Sequence, residues 1–200
     1  MQLLLSFVSL LGEARPQQRF VVPVAATREV DRIARAHGAE VVRSQMSIAA
    51  ILESAGGGDV DFAASLDAGY AFPRFLPAFD GTVAAVKLLE ALASTGRRLS
   101  EVVDALPVAH LVEDMVVTPW EQKGAVMRSL IEQSAGKDVE LIDGVKVQHP
   151  TGWVMALPDT EEPITRVWAE GDDPAAARAL CDEYSRRIRA MVGAGGDGRS

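Results

Sequence analysis

Apolar residues along this chain recur with two alternating periods. Leu3, Leu4, Phe7, Leu10 and Leu11 fall on one side of a 3.6-residue spiral, which predicts a helix over residues 2–12 that lays one apolar face on a sheet. Residues 20–24 form a short apolar run followed by the small Ala25 and Ala26, the pattern of a buried strand. Thr27 then caps a helix whose inner face is Val30, Ile33, Ala34 and His37, and Gly38 stops it. A strand over 39–43, a helix over 47–54 and a strand over 60–63 continue the alternation expected of an α/β unit with both sheet faces covered. Asp80 and Thr82 open a long helix with Val83, Val86, Leu89 and Leu92 inward and Gly96 as its stop. Ser100 caps a shorter helix that ends before Pro107.

After Pro107 the order of elements changes. A strand over 111–118 and a helix over 121–134 are followed by strand-like runs at 139–147, broken by the Asp143-Gly144 turn, at 153–157 and at 164–169. A helix over 175–191 closes the pattern, and residues 194–200 read as a flexible polar tail. The fold class expected is an α/β domain with a covered mixed sheet over residues 1–106, followed over 109–193 by a small α+β domain with a mainly antiparallel sheet.

Composition narrows the function classes. The 200 residues are 48% hydrophobic and 24% charged, enough apolar material for an ordinary core. The net charge of -8 disfavours a nucleic-acid partner, because phosphate backbones are bound by excess Lys and Arg. The acidity is uneven: residues 1–106 carry 10 bases and 12 acids, net -2, and residues 107–200 carry 10 bases and 16 acids, net -6. Cys181 is the single cysteine and the three histidines are scattered, so no intramolecular disulfide and no zinc spacing is available; cytoplasm is the expected compartment. The N-terminal apolar run lacks the preceding positive charge of a signal peptide and is shorter than the ~20 residues that span a bilayer, so no membrane association is expected. A chain that opens directly on a core helix is expected to lack a segment upstream.

Several tempting features have plain readings. Gly56-Gly57-Gly58 lacks the following Lys and Ser or Thr of a phosphate-cradling loop and reads as a turn. His37, His110 and His149 read as structural, with no serine and acid in motif form beside them. Trp120, Trp153 and Trp168 read as core or strand-face residues. The aromatic, proline-rich run at 72–79 is either a covered crossover or an exposed docking surface, and the second is favoured.

The ordered set of Arg28 to Arg43, Asp80-Gly81, Leu99-Ser100-Glu101, Asp143-Gly144-Val145-Lys146, Gly152-Trp153-Val154, Glu162-Pro163 and Arg166 to Glu170 resembles the C-terminal half of the alpha-D-phosphohexomutases, the phosphomannomutase and phosphoglucomutase superfamily. The resemblance implies that residues 1–106 correspond to the third domain of four and 109–193 to the fourth. The family's phosphoserine and its magnesium ion belong to the first two domains, so no cofactor is expected in this chain. Its sugar loop usually reads Gly-Glu-x-Ser-Gly-His; here Ser65-Leu66-Asp67-Ala68-Gly69-Tyr70 keeps the glycine, and Asp67 and Tyr70 remain able to bond a hydroxyl, although a plain turn is the stronger reading. Its phosphate loop usually reads Arg-Pro-Ser-Gly-Thr-Glu-Pro. Here Leu157-Pro158-Asp159-Thr160-Glu161-Glu162-Pro163 replaces the phosphate-forking Arg by Leu, the Ser by Asp and the Thr by Glu. Two carboxylates ~4 Å from a phosphate dianion each oppose it by ~1–4 kcal/mol, which leaves Arg166 outweighed.

Three readings follow. The first is a catalytically silent mutase-like module, structural or regulatory, of the kind found fused to mannose-1-phosphate guanylyltransferase-type nucleotidyltransferases; its partner is then the missing mutase or nucleotidyltransferase domains, and any hexose phosphate binds weakly. The second is the truncated part of an active phosphomannomutase or phosphoglucomutase. The third is a standalone protein that self-associates through residues 72–79 and the N-terminal helix.

Overall fold

A computed structural model describes residues 1–196, in two compact units, Met1–Ala109 and His110 onward. The first unit runs α1 (Gln2–Ala14), β1 (Arg19–Pro23), α2 (Glu29–Ala36), β2 (Glu40–Ser44), α3 (Ile48–Ala55), β3 (Phe62–Ala64), β4 (Tyr70–Phe72), β5 (Leu76–Phe79), α4 (Gly81–Thr95) and α5 (Leu99–Asp104). Its sheet has the order β2-β1-β3-β4-β5, parallel across β2, β1 and β3 and antiparallel from β3 to β5. Strand alternation divides the core between the two faces. Phe20, Val22, Phe62, Ala64 and Phe72 pack with α1 and α2, while Val21, Ala63 and Ala71 pack with Ile51 and Ala55 of α3.

Four details depart from the sequence reading. Helix α1 buries more than one face: Leu5, Ser6 and Val8 are buried alongside Leu4, Phe7 and Leu10, whereas Leu3 is 41% exposed. Helix α4 turns Ala84 and Ala91 inward with Val83, Leu88 and Leu92 beside them, and leaves Val86 and Leu89 exposed. Small alanines let this helix approach α1 closely, so size rather than hydrophobicity selects the inner face. Ser100 lies inside α5; the helix begins after Arg98, whose N–H is taken by the Glu101 carboxylate at 3.0 Å. Residues 72–79, read from the sequence as a covered crossover or an exposed docking surface, are not a crossover. They are a β4–β5 hairpin in which Phe72 is buried, Phe79 half-buried and Phe75 exposed.

The second unit contains β6 (His110–Val117), α6 (Trp120–Gln133), β7 (Val139–Glu140), β8 (Val145–His149), β9 (Gly152–Pro158), β10 (Ile164–Gly171) and α7 (Pro174–Gly196). Its sheet, β6-β10-β9-β8-β7, is antiparallel throughout. One face carries Val116, Val145, Val147, Val154, Ala156, Val167 and Ala169 against Val126 and Leu130 of α6 and Leu180, Tyr184 and Ile188 of α7. Residues 194–196, assigned above to the tail, continue α7; the rest of that tail lies outside the described residues. No described helix is long and apolar enough to cross a membrane.

Candidate functional site

The five-residue connection from β9 to β10 is held by its own polar atoms. Asp159 stands just past the end of β9, where its Oδ1 accepts the N–H groups of Glu161 at 2.8 Å and Glu162 at 3.0 Å. Its Oδ2 accepts Arg166 Nε at 2.8 Å from the neighbouring strand. Leu157 and Arg166 are register partners across β9 and β10, which places the Arg166 guanidinium at the mouth of the loop. A second carboxylate, Glu113 on β6, takes Arg166 Nη1 at 3.3 Å. Arg166, followed by the two loop N–H groups, holds the Asp159 carboxyl well below the ordinary range, at about 2. The geometry is that of an anion-binding nest, two convergent N–H groups and a guanidinium, with a carboxylate of the same loop as the anion.

Lys123 closes the loop from behind. Its side chain is buried in α6, and Nζ donates to the carbonyls of Asp159 and Glu162 while lying 3.5 Å from the centroid of the Trp120 ring. Thr118 N–H donates to the Pro163 carbonyl at 2.7 Å, and Asp159 N–H to the Ile164 carbonyl at 3.0 Å. Thr160, Glu161, Glu162 and Pro163 are exposed. Four carboxylates (Asp159, Glu161, Glu162 and Glu113) thus share this region with two cations, Arg166 and Lys123.

The second candidate loop follows β3. Ser65 Oγ accepts the N–H groups of Asp67 and Ala68 at 3.2 and 3.1 Å, and Ser65 N–H donates to the Gly69 carbonyl at 2.9 Å, so the loop is a tight turn. Gly69 at φ 98 supplies the positive dihedral that the turn needs. Asp67 is exposed at its tip. Tyr70 points into the core instead: its ring stacks on Phe62 at 5.7 Å and packs against Phe7 at 4.9 Å, and burial pushes its phenol pKa up. Here aromatic packing takes the residue that the sequence offered as a hydroxyl reader.

Residues 2–110 match the profile of phosphoglucomutase/phosphomannomutase, alpha/beta/alpha domain III. The chain belongs to the phosphoglucomutase/phosphomannomutase family. It is 31% identical over 186 residues to a probable phosphoglucosamine mutase of Methanopyrus kandleri, covering 90% of this chain and 40% of that protein. It is 34% identical over 175 residues to one of Methanocella arvoryzae, covering 86% and 39%. A phosphoglucomutase/phosphomannomutase family protein of Burkholderia thailandensis shares the fold with a TM-score of 0.78 at 21% identity, over 95% of this chain and 41% of that one. The chain therefore spans about two fifths of the length of these relatives.

In this family member the phosphate-loop positions come together as one cluster, and Asp67 and Tyr70 of the sugar loop do not. Sequence reading missed Lys123 and Glu113. Lys123 had a signal: it is one of four lysines and sits with Val126 and Leu130 on the inner face of an amphipathic helix, where a lysine needs acceptors. Glu113 had none, because its pairing depends on strand register. Among the histidines, His149 bonds Tyr184 Oη at 2.9 Å, and burial shifts its imidazole pKa down. Trp153 and Trp168 are buried, but Trp120 is 52% exposed and carries the Lys123 ammonium on its ring. Burial raises the Cys181 thiol to about 11, which leaves it unreactive near neutrality. Among the described residues no group of three or more His, Cys, Asp or Glu is placed to hold a metal ion.

Proposed function

We propose that this chain is a mutase-like region of a larger sugar-phosphate or sugar-nucleotide enzyme, with a structural or regulatory role and no catalysis of its own. Its partner is the remainder of a mutase or of a nucleotidyltransferase of the mannose-1-phosphate guanylyltransferase type. The observation that carries this reading is the Asp159 carboxylate bound to Arg166 and to the Glu161 and Glu162 N–H groups. Phosphoryl transfer depends on cations and fixed donors directed at the transferring group, and here those donors face an internal acid. Cytoplasmic residence fits the free buried thiol.

Calorimetric titration with mannose 1-phosphate and glucose 1-phosphate tests the reading. The expected result is no saturable heat for either sugar. Micromolar binding that disappears in Arg166→Ala would show a working phosphate loop and favour the alternative, part of an active phosphohexomutase.

A further inference from the structure

At the end of the first sheet opposite the Ser65–Gly69 turn, beside the residues that lead into β1 and β3, lies a cavity of about 180 Å³. Its base is apolar, formed by Leu11, Phe72 and Ala91. Its walls hold three cations, Arg15 at the end of α1, Arg74 in the β4–β5 bend and Lys87 on α4, against two acids, Asp61 and Glu90. Convergence of three cations is contrary to the trend of a chain with net charge -8.

The two acids engage each of the three cations in part. Asp61 pairs with Nε of Arg74 at 3.3 Å, and its other oxygen accepts the Arg19 N–H at 3.2 Å. Glu90 takes Lys87 Nζ at 2.8 Å. The terminal nitrogens of Arg74 and the remaining Lys87 protons are not used by these pairs, and Arg15 is exposed. The rim also carries Phe75, 68% exposed, with the Lys87 ammonium 5.3 Å from its ring centroid.

We propose that this cavity binds a small organic oxyanion, whose carboxylate or phosphate ester is held by Arg15, Arg74 and Lys87 and whose carbon skeleton lies on Phe75. Drug-sized ligands fill pockets of about 300–1,000 Å³, so the occupant is smaller than a nucleotide. This inference is independent of the reading of the Asp159 loop, which lies in the other unit.

The test is an amide-resolved NMR titration of the full chain with phenyl phosphate, repeated with benzoate and with inorganic phosphate. Saturable shifts are expected around Gln18, Arg74 and Lys87, with affinity in roughly the millimolar range or tighter. Arg15→Ala and Arg74→Ala, both at exposed side chains, weaken binding by about fivefold or more each, with unchanged melting temperature, and Phe75→Ala weakens phenyl phosphate more than inorganic phosphate. The tighter of phenyl phosphate and benzoate identifies the headgroup. The proposal is overturned if no shifts saturate, if they spread equally to distant cations such as Arg128 and Arg186, or if inorganic phosphate binds as tightly as phenyl phosphate.

Discussion

Asp159 joins three donors that come from two different parts of the chain, and its ionisation state is therefore coupled to folding. Its folded pKa lies at about 2, below the ordinary ~3.9 of an unfolded Asp. A depressed folded pKa stabilises fully above the unfolded value and loses that contribution as pH falls through the folded one, so the window is from about pH 4 down to about pH 2. Asp159→Asn is expected to flatten this part of the acid limb in urea denaturation. Asp159→Ala is expected to cost about 1 kcal/mol at neutral pH, the scale of a lost capping side chain, since solvent screens the ion pair. An unchanged acid limb in Asp159→Asn would remove the carboxylate from the nest. Arg43 is a second residue whose role is set by geometry. Its guanidinium donates to the carbonyls of Pro23 at 3.2 Å, Ala26 at 2.7 Å and Thr27 at 3.2 Å and pairs with Asp31. Lysine lacks the planar fork, so Arg43→Lys is expected to cost about 1–3 kcal/mol by chemical denaturation, a loss that a purely electrostatic role would not show.

Helices and strands were legible in the sequence, but the faces they present were legible only in part. The apolar runs of β1 and β3 assigned residues to the sheet without naming which helix each would meet. In α4 the apolar spacing at Val83, Val86, Leu89 and Leu92 suggested an inner face; the structure keeps Val83 and Leu92 against the core, turns Ala84 and Ala91 inward and leaves Val86 and Leu89 exposed. Hydrophobic residues outnumber inward positions on this helix, so periodicity had two solutions and close packing on α1 chose between them. Leu89→Lys is accordingly expected to change stability by less than about 0.5 kcal/mol, whereas Ala91→Leu costs about 1–3 kcal/mol through overpacking. Thermal melts of the two variants check the register, and the opposite order would restore the sequence-derived face. The short strands β4 and β5 escaped notice because Pro73, Pro77 and the dense aromatics masked their alternation. Lys123 escaped for a different reason: its acceptors are main-chain carbonyls 36 and 39 residues away.

Across the whole molecule the scaffold is that of the family, and the proposed reading confines the loss of phosphate binding to the β9–β10 loop, which separates two contributions to ligand binding. The β9–β10 hairpin, Arg166 and the loop N–H groups are present, so on the proposed reading the chemical obstacle lies in the side chains at Leu157, Asp159 and Glu161. The surroundings add to it, since residues 107–200 carry a net -6. Replacing Leu157→Arg, Asp159→Ser, Thr160→Gly and Glu161→Thr together would rebuild the family's loop sequence and raise that charge from -6 to -3 by adding one base and removing two acids. The free chain is expected to give no saturable heat with inorganic phosphate at this loop, and the rebuilt chain to bind it in roughly the millimolar range, more weakly as salt rises. Gly152 guards the interpretation. At φ 152 its missing Cβ makes room for the Glu170 carbonyl, so Gly152→Ala disrupts the same hairpin and is expected to abolish binding in the rebuilt chain. A folded rebuilt chain that still ignores phosphate would place the obstacle in the scaffold itself, and the account of Asp159 as the occupant of an otherwise intact nest would fail.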